Sequence, residues 1–407
     1  MLSASEAHNE VLATDIDKEI YKVITRETAS SRGYVLAQDI VATRSHPPFN
    51  RVMMDGIAIS FDGVSLREFK KQGIARAGEE CKSLLSNEHC IEVMTGAPLP
   101  MGCDCVIPYE EIIENEKSFL LSESSHPKRN QFIHPLGVDY QKADKLISKG
   151  TLINSGALSI IYSQGLSSVE VYQLESVAII STGDELVDLG EKVLDHQIYR
   201  SNSYVIKNEI ESFFTGAIVS LYHFNDDKEE ILEGLASIVQ KYKVIIISGG
   251  VSKGKFDFIP QCLEELGIKK AFHKVRQRPG KPLFFGKGAR GQVVFGLPGN
   301  PVSSFVNTRR HIIPLLQKSF LNSEVTTFDV FSDRELELGS DFTFFIPAKI
   351  SFLEGRVVAS PRLGHNSGDF SKLTETDGFF EVPAPLGRIE MNKQYQFYPW
   401  GGGIGPV

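Results

Sequence analysis

The chain has 407 residues, more than one hydrophobic core usually serves, so two to four domains are expected. Apolar residues make up 42% and charged residues 23%, which excludes a disordered or fibrous chain. With 43 basic against 51 acidic residues the net charge is −8, which excludes a general binder of nucleic acid or anionic membrane.

In chain order, MLSASEAHNE carries no basic region or apolar core, so no secretory signal is expected. Residues 16–27 place Ile16, Ile20, Val23 and Ile24 at helical spacing, which predicts a helix. From about 33 to 150 the texture is short β-rich pieces between Gly and Pro, and shorter apolar elements follow over 152–173. From 175 strands and helices alternate. SVAIIS, AIVSLYH and KVIIIS are unbroken apolar strands, and helices are expected near 203–214, over 228–242, near 258–266 and over 302–318. That pattern predicts a parallel sheet covered on both faces. Asp226 or Asp227 is the expected cap of the second helix. Residues 322–407 alternate apolar and polar, as a small all-β domain would. No apolar run reaches the length of a membrane helix, and five cysteines, an odd number, suit a reducing cytoplasm.

The net charge hides an asymmetry. Residues 266–323 hold eleven Lys or Arg and no acid, which leaves −19 for the rest of the chain. A basic segment in an acidic protein points to a local anion site. In open α/β sheets ligands sit at the carboxyl ends of strands, and two such ends here are unusual. One reads Ser181-Thr182-Gly183-Asp184-Glu185. The other reads Ser248-Gly249-Gly250-Val251-Ser252-Lys253-Gly254, with Asp257 beyond. Turn amides and Ser hydroxyls suit phosphate oxygens, and Glu185 with Asp257 offers hard oxygen ligands to one Mg²⁺. The alternative is two tight turns with solvated carboxylates.

His273 to Pro282 (HKVRQRPGKP) places Lys274, Arg276 and Arg278 on one side of a strand that runs into a Pro-Gly turn. An edge strand with solvated charge is the alternative to an anion site. Leu297-Pro298-Gly299-Asn300-Pro301-Val302-Ser303 joins a strand to a helix whose first amides are expected to face the same crevice. Further upstream, the loop PPFNRVMMDG presents Asp55, and MTGAPLP begins with Thr95. Cys81, Cys90, Cys103 and Cys105 lack paired CxxC spacing, and Cys103 and Cys105 are expected to point the same way, so zinc is not expected. No HExxH spacing is present, which excludes the corresponding zinc hydrolases.

PPFNRVMMDGIA, MTGAPLP, STGDEL, SGGVSKG, RPGKPL and LPGNPVSS, in this order, resemble the MoeA family of molybdopterin molybdenumtransferases, found also as a domain of gephyrin. The resemblance implies a multidomain α/β protein with a discontinuous N-terminal domain (1–26 and 141–174) built of helix and strand. A β domain (27–140) is inserted in it, a MogA-like α/β domain spans 175–320, and a β-barrel spans 321–407. It implies a cytoplasmic homodimer with an active site shared between subunits. The implied substrates are adenylylated molybdopterin and molybdate, with Mg²⁺, and the reaction releases AMP and leaves molybdenum on the dithiolene. A MogA-like adenylyltransferase and recipient molybdoenzymes are implied partners.

Carried over by motif, Asp55 and Thr95 would act from the partner subunit, while Glu185 and Asp257 would hold Mg²⁺ with Asp184 nearby. Lys274, Arg278 and Lys281 would meet phosphate or molybdate beside Pro298, Gly299, Asn300, Pro301 and Ser303. Thr182, Gly183, Ser248, Gly249, Gly250 and Ser252 would cradle phosphates, and Ser367 would face molybdate. The chain departs from the family pattern in three places. Val52-Met53 and Ile57 replace residues of the Asp55 loop, and Arg278 stands where some members have Lys. A family Arg before the first long barrel strand is replaced by Gly339-Ser340-Asp341-Phe342, leaving Arg356 and Arg362 as candidates to compensate. Competing readings are an adenylyltransferase of MogA type and a non-catalytic scaffold.

Overall fold

A computed structural model describes residues 1–16, 18–251, 257–318, 327–339, 341–364 and 369–401. Ser252 and Ser367 lie outside the described residues. The chain divides into two compact units, one of residues 39–148 and 159–166, the other of 1–38, 149–158 and 167–407.

The smaller unit is built on a six-stranded sheet in the order 112–114, 118–121, 68–75, 89–93, 56–59, 105–108. Only the pair 68–75 and 89–93 is parallel. Alternation sorts its side chains onto two faces, Ile57, Ile59, Phe69 and Phe119 on one and Ala58, Ile91, Val93 and Val106 on the other. Cys105 belongs to the first face and Cys103 to the second, so the two thiols do not point the same way. Cys103 sits before the strand, in a turn closed by its amide on the Pro100 carbonyl.

In the larger unit, α1 (Ala4–Leu12) opens on a capping box: the Ser3 hydroxyl accepts from the Glu6 amide, and Glu6 accepts from the Ser3 amide. The helix expected over 16–27 is instead β1 (Tyr21–Glu27), paired along seven rungs with β2 (Ser168–Leu174). β-branched Val23, Ile24 and Thr25 favour that partner, and Val23 is 47% exposed rather than on a buried stripe.

The α/β sheet contains β3 (Val177–Thr182), β4 (Val219–Phe224), β5 (Val244–Ser248), β6 (Lys269–His273), β8 (Phe284–Lys287) and β9 (Val293–Leu297); β7 (Val275–Arg278) is not in it. Its order is β4-β3-β5-β9-β8-β6, and only the first four strands are parallel. The last two run antiparallel to their neighbours, so the sheet is mixed rather than wholly parallel. α1 and α2 (Ser201–Phe213) cover one face, and α3 (Lys228–Lys241) with α4 (Ile259–Glu265) covers the other. Asp227 caps α3, accepting from the Glu230 amide. α5 (Pro301–Asn307) continues through a π turn (Thr308–Ile312) to Lys318.

Beyond it β10 (Phe328–Ser332), β11 (Thr343–Leu353), β12 (Arg356–Pro361), β13 (Gly378–Val382) and β14 (Gln394–Pro399) close into a five-stranded barrel through the β11–β13 pairing. Its Phe345, Phe379 and Tyr398 share one core with the α1 face of the α/β sheet. The basic strand β7 is no edge: it lies parallel between Leu2–Ser3 and β11 and so joins the α/β layer to the barrel.

Candidate active site

Because β3, β4 and β5 are parallel and in register, Thr182 lies opposite Phe224 and Ser181 opposite Ser248, and their carboxyl ends form one edge. Gly183 follows at φ 141°, where a Cβ would stand 2.5 Å from Glu185 Oε2; glycine here lets that carboxylate fold back over the turn. Gly249 and Gly250 also have positive φ, and a Cβ on either would come within 3.0 Å of Thr182 Oγ1. Thr182 is 4% exposed, and among the described residues its hydroxyl has no hydrogen-bond partner. A buried, unsatisfied hydroxyl against a Gly-Gly turn suits an oxygen-rich ligand.

Asp184 Oδ1 accepts the Asp226 amide at 2.9 Å. Burial, then the charges of Asp184, Glu185 and Asp257, push the Asp226 carboxyl above the usual carboxylate range. Asp226 is thus a fourth acid of the cluster, one that sequence reading treated only as a possible helix cap. Among the described residues no three acidic, His or Cys side chains converge on one metal position. The acids of this edge are hard oxygen donors of the kind Mg²⁺ takes, one or two carboxylates completed by phosphate oxygens and water.

Asn202, in the first turn of α2, was also missed. Its amide donates to Ser248 Oγ at 3.1 Å and to the Gly299 carbonyl at 2.8 Å, tying the ends of β5 and β9 together. The only sequence signal was a polar residue at a helix start. Asn300 caps α5, with Oδ1 accepting from the Ser303 amide at 3.0 Å and its hydroxyl at 3.1 Å. One first-turn amide expected to face the crevice is therefore already occupied. Ser304 Oγ donates to the Pro298 carbonyl, so the Pro298–Pro301 turn is fixed from behind.

Within β7, Val275 and Gln277 are buried while Arg276 and Arg278 share the exposed face. Lys274 differs from expectation: at φ 83° it precedes the strand and does not continue its alternation. Gln277 donates to Asn307 Oδ1 at 2.7 Å beneath the Pro279-Gly280 turn, which fixes that turn on α5. Lys281 holds its ammonium 5.3 Å above the Phe342 ring. A cavity of about 300 Å³ opens between this turn and the barrel, lined by Arg278, Pro279, Val302, Arg362, Asp369 and Lys372 among others. Arg356 stacks instead over Phe331, so of the two compensating candidates only Arg362 reaches the cavity.

Some other cations of the acid-free segment are structural. Arg309 is fully buried and donates to the Pro399 carbonyl, and Arg310 pairs with Glu381 at 2.9 Å. Lys287 reaches Glu10. Partners distant in sequence thus neutralise charges that looked unopposed along the chain.

In the smaller unit Asp55 Oδ1 accepts from the Thr95 amide at 2.6 Å and its hydroxyl at 2.7 Å. These bonds, the hydroxyl first, hold the exposed Asp55 carboxyl below the usual carboxylate range. The pairing brings together residues 40 positions apart and leaves an ionised carboxylate facing outward.

Residues 2–165 match the MoeA N-terminal region (domain I and II), and residues 178–318 match a probable molybdopterin binding domain. A molybdopterin molybdenumtransferase of Synechocystis is 38% identical over 92% of this chain and 95% of its own length. One from Staphylococcus epidermidis is 28% identical over 94% and 91%. The crystal structure of the molybdopterin biosynthesis MoeA protein of Pyrococcus horikosii superposes with a TM-score of 0.81 at 26% identity, covering 99% of this chain and all of that one. With both family regions in order and relatives matched along most of their length, the chain belongs to the MoeA family.

Proposed function

We propose that this chain inserts molybdenum from molybdate into adenylylated molybdopterin, with cleavage of the phosphoanhydride and release of AMP. The observation that carries the reading is the edge formed by Thr182, the Gly249–Gly250 turn and the four acids Asp184, Glu185, Asp226 and Asp257. A pyrophosphate-linked nucleotide needs such a cradle together with a divalent cation. Glu185 and Asp257 would hold Mg²⁺, with Asp184 and Asp226 beside them; the ion would neutralise charge on the leaving phosphate. Thr182 would donate its free hydroxyl to a phosphate oxygen. Asn202 and Asn300 keep the two crevice loops in place.

Molybdate, a tetrahedral dianion, suits the cavity that Arg278 and Arg362 both line. Lys274 and Lys281 would extend that positive wall, and Ser252 and Ser367 complete the proposed set from outside the described residues. The four-domain division (1–26 with 141–174, 27–140, 175–320, 321–407) is retained as the functional one. The protein would act as a cytoplasmic homodimer in which Asp55 and Thr95 of the partner subunit complete each site. Five free cysteines, and the absence among described residues of a helix long and apolar enough to cross a membrane, support that placement. A MogA-like adenylyltransferase would supply the substrate, and molybdoenzymes would take the product. Purified protein incubated with adenylylated molybdopterin, molybdate and Mg²⁺ should release AMP; a dimer that releases none refutes the reading.

A further inference from the structure

The segment that carries Asp55 is held from behind by a chain of polar contacts that the proposed chemistry does not use. Asn50 to Met53 lies between two strips of backbone. On one side the Val52 amide donates to Ala97, the Gly96 amide to Val52 and the Leu99 amide to Asn50. On the other, Arg51–Val52 pairs with Ile133–His134, and the Met53 amide donates to Phe132. The Asp55 and Thr95 loops therefore share one support, and a side-chain relay braces it. Arg51 Nη2 lies 3.0 Å from His134 Nδ1, and His134 Nε2 lies 3.0 Å from Asp139 Oδ1. The other Asp139 oxygen faces His46 Nε2 at 3.8 Å, and the His46 ring stacks on Tyr140.

The chemistry of the partners fixes the protons. A guanidinium has donors and no acceptor, so His134 Nδ1 must accept from Arg51. A carboxylate only accepts, so His134 Nε2 must carry the hydrogen. Both requirements are met by the neutral Nε2–H tautomer alone. An imidazolium would present an N–H to the guanidinium, donor against donor and charge against charge. The charged and titratable groups around the ring are Arg51 on the Asp55 segment and Asp139 with His46 behind it.

We propose that His134 is a positioning residue: as a neutral Nε2–H imidazole between Arg51 and Asp139 it braces the Asp55 and Thr95 loops. The consequence for turnover rests on the reaction proposed above; the tautomer and the stability of the loops do not. The test is hydrogen–deuterium exchange of peptides covering 49–56 and 94–99 in the full-length protein at about pH 7.5. H134F removes both contacts and should speed exchange in these peptides roughly tenfold. H134N keeps an acceptor for Arg51 near the Nδ1 position, so it should stay near the wild-type value.

Equal exchange in wild type and H134F overturns the proposal. So does a ¹⁵N-histidine spectrum showing His134 protonated at Nδ1. Should H134F fail to fold, the ¹⁵N-histidine spectrum of the wild type still decides. In turnover, H134F should lower kcat with little change in the KM for molybdate, and H134N should restore kcat. A wild type that releases no AMP removes the proposed reaction and leaves the exchange result standing.

Discussion

Asp226 makes the electrostatics of the nucleotide edge testable at one atom. Its carboxyl is raised by burial and by three acidic neighbours. A carboxyl whose folded pKa exceeds its unfolded value adds stability while protonated and loses it as pH rises through the folded value. Above the ordinary carboxylate range, the ionised group is thus a burden on the fold. D226N should raise the Tm near neutral pH without Mg²⁺, by at most about 2 °C given its partial exposure. The gain should vanish below about pH 4, where both folded and unfolded carboxyls are protonated. AMP release should fall in the same variant, as expected if the cluster binds a cation in use. A D226N protein no more stable than wild type near neutrality would show that the four acids do not repel one another.

The anion side has a sharper contrast. Arg362 lines the cavity beside Arg278, while Arg356 is held on Phe331. R362A should raise the KM for molybdate roughly tenfold, as expected for loss of one charge-assisted contact, and R356A should leave it unchanged. Equal effects from both would remove Arg362 from the site. The sequence placed these two arginines on equal terms, because which of them lines the cavity with Arg278 depends on how the barrel closes. The place of Glu185 and Asp257 at the sheet edge, by contrast, was legible, since Gly-rich turns at strand ends mark the carboxyl edge of any such sheet. Asp226 was not, because it lies on a third strand end that only the parallel register brings alongside.

At the scale of elements, local signals held where the partner was near and failed where it was distant. The apolar runs of β3 and β5 and the stripe of α3 were readable because burial on both faces, or on one helical face, writes itself into adjacent residues. Tyr21–Glu27 was misread because its pairing partner lies at 168–174, and the helical spacing of Ile16, Ile20, Val23 and Ile24 is coincidental. The capping signal of the true helix, Ser3 with Glu6, was present and overlooked. The same distance effect hid the role of β7, whose neighbours are the first residues of the chain and a strand some 65 residues on.

The α/β layer and barrel are further locked by Arg310 and Glu381, which pair at 2.9 Å with both side chains nearly buried. Removing one partner leaves the other charge unpaired, at a cost of about 3 kcal/mol. E381A should therefore destabilise the chain by that order and expose β11 and β13 first in hydrogen exchange. A double R310M/E381M variant should recover much of the loss, because an apolar pair carries no desolvation penalty. If E381A is as stable as wild type, the pair contributes nothing to holding the barrel.

For the molecule as a whole, the charge pattern takes on a different meaning once folded. The net −8 is compatible with a small polyanionic substrate because charge is uneven over the fold, with four acids at one strand edge and Arg278, Arg362 and Lys372 among the residues lining a cavity. Asp55 and Thr95 belong to the smaller unit and the remaining candidates to the larger. The proposed sharing of sites between subunits turns that division into arithmetic. D55A and E185A should each abolish AMP release while leaving the fold intact, since both side chains are exposed. In an equal mixture allowed to exchange subunits, about half the dimers should be mixed. If Asp55 completes the site of the other subunit, each mixed dimer has one doubly damaged site and one intact site. The mixture should then recover about a quarter of wild-type activity. If Asp55 serves its own chain, every site in a mixed dimer carries one lesion and the mixture stays as inactive as its parents. Separately tagged chains, purified through both tags, raise the expected recovery to about half and confirm that the active species is the mixed dimer.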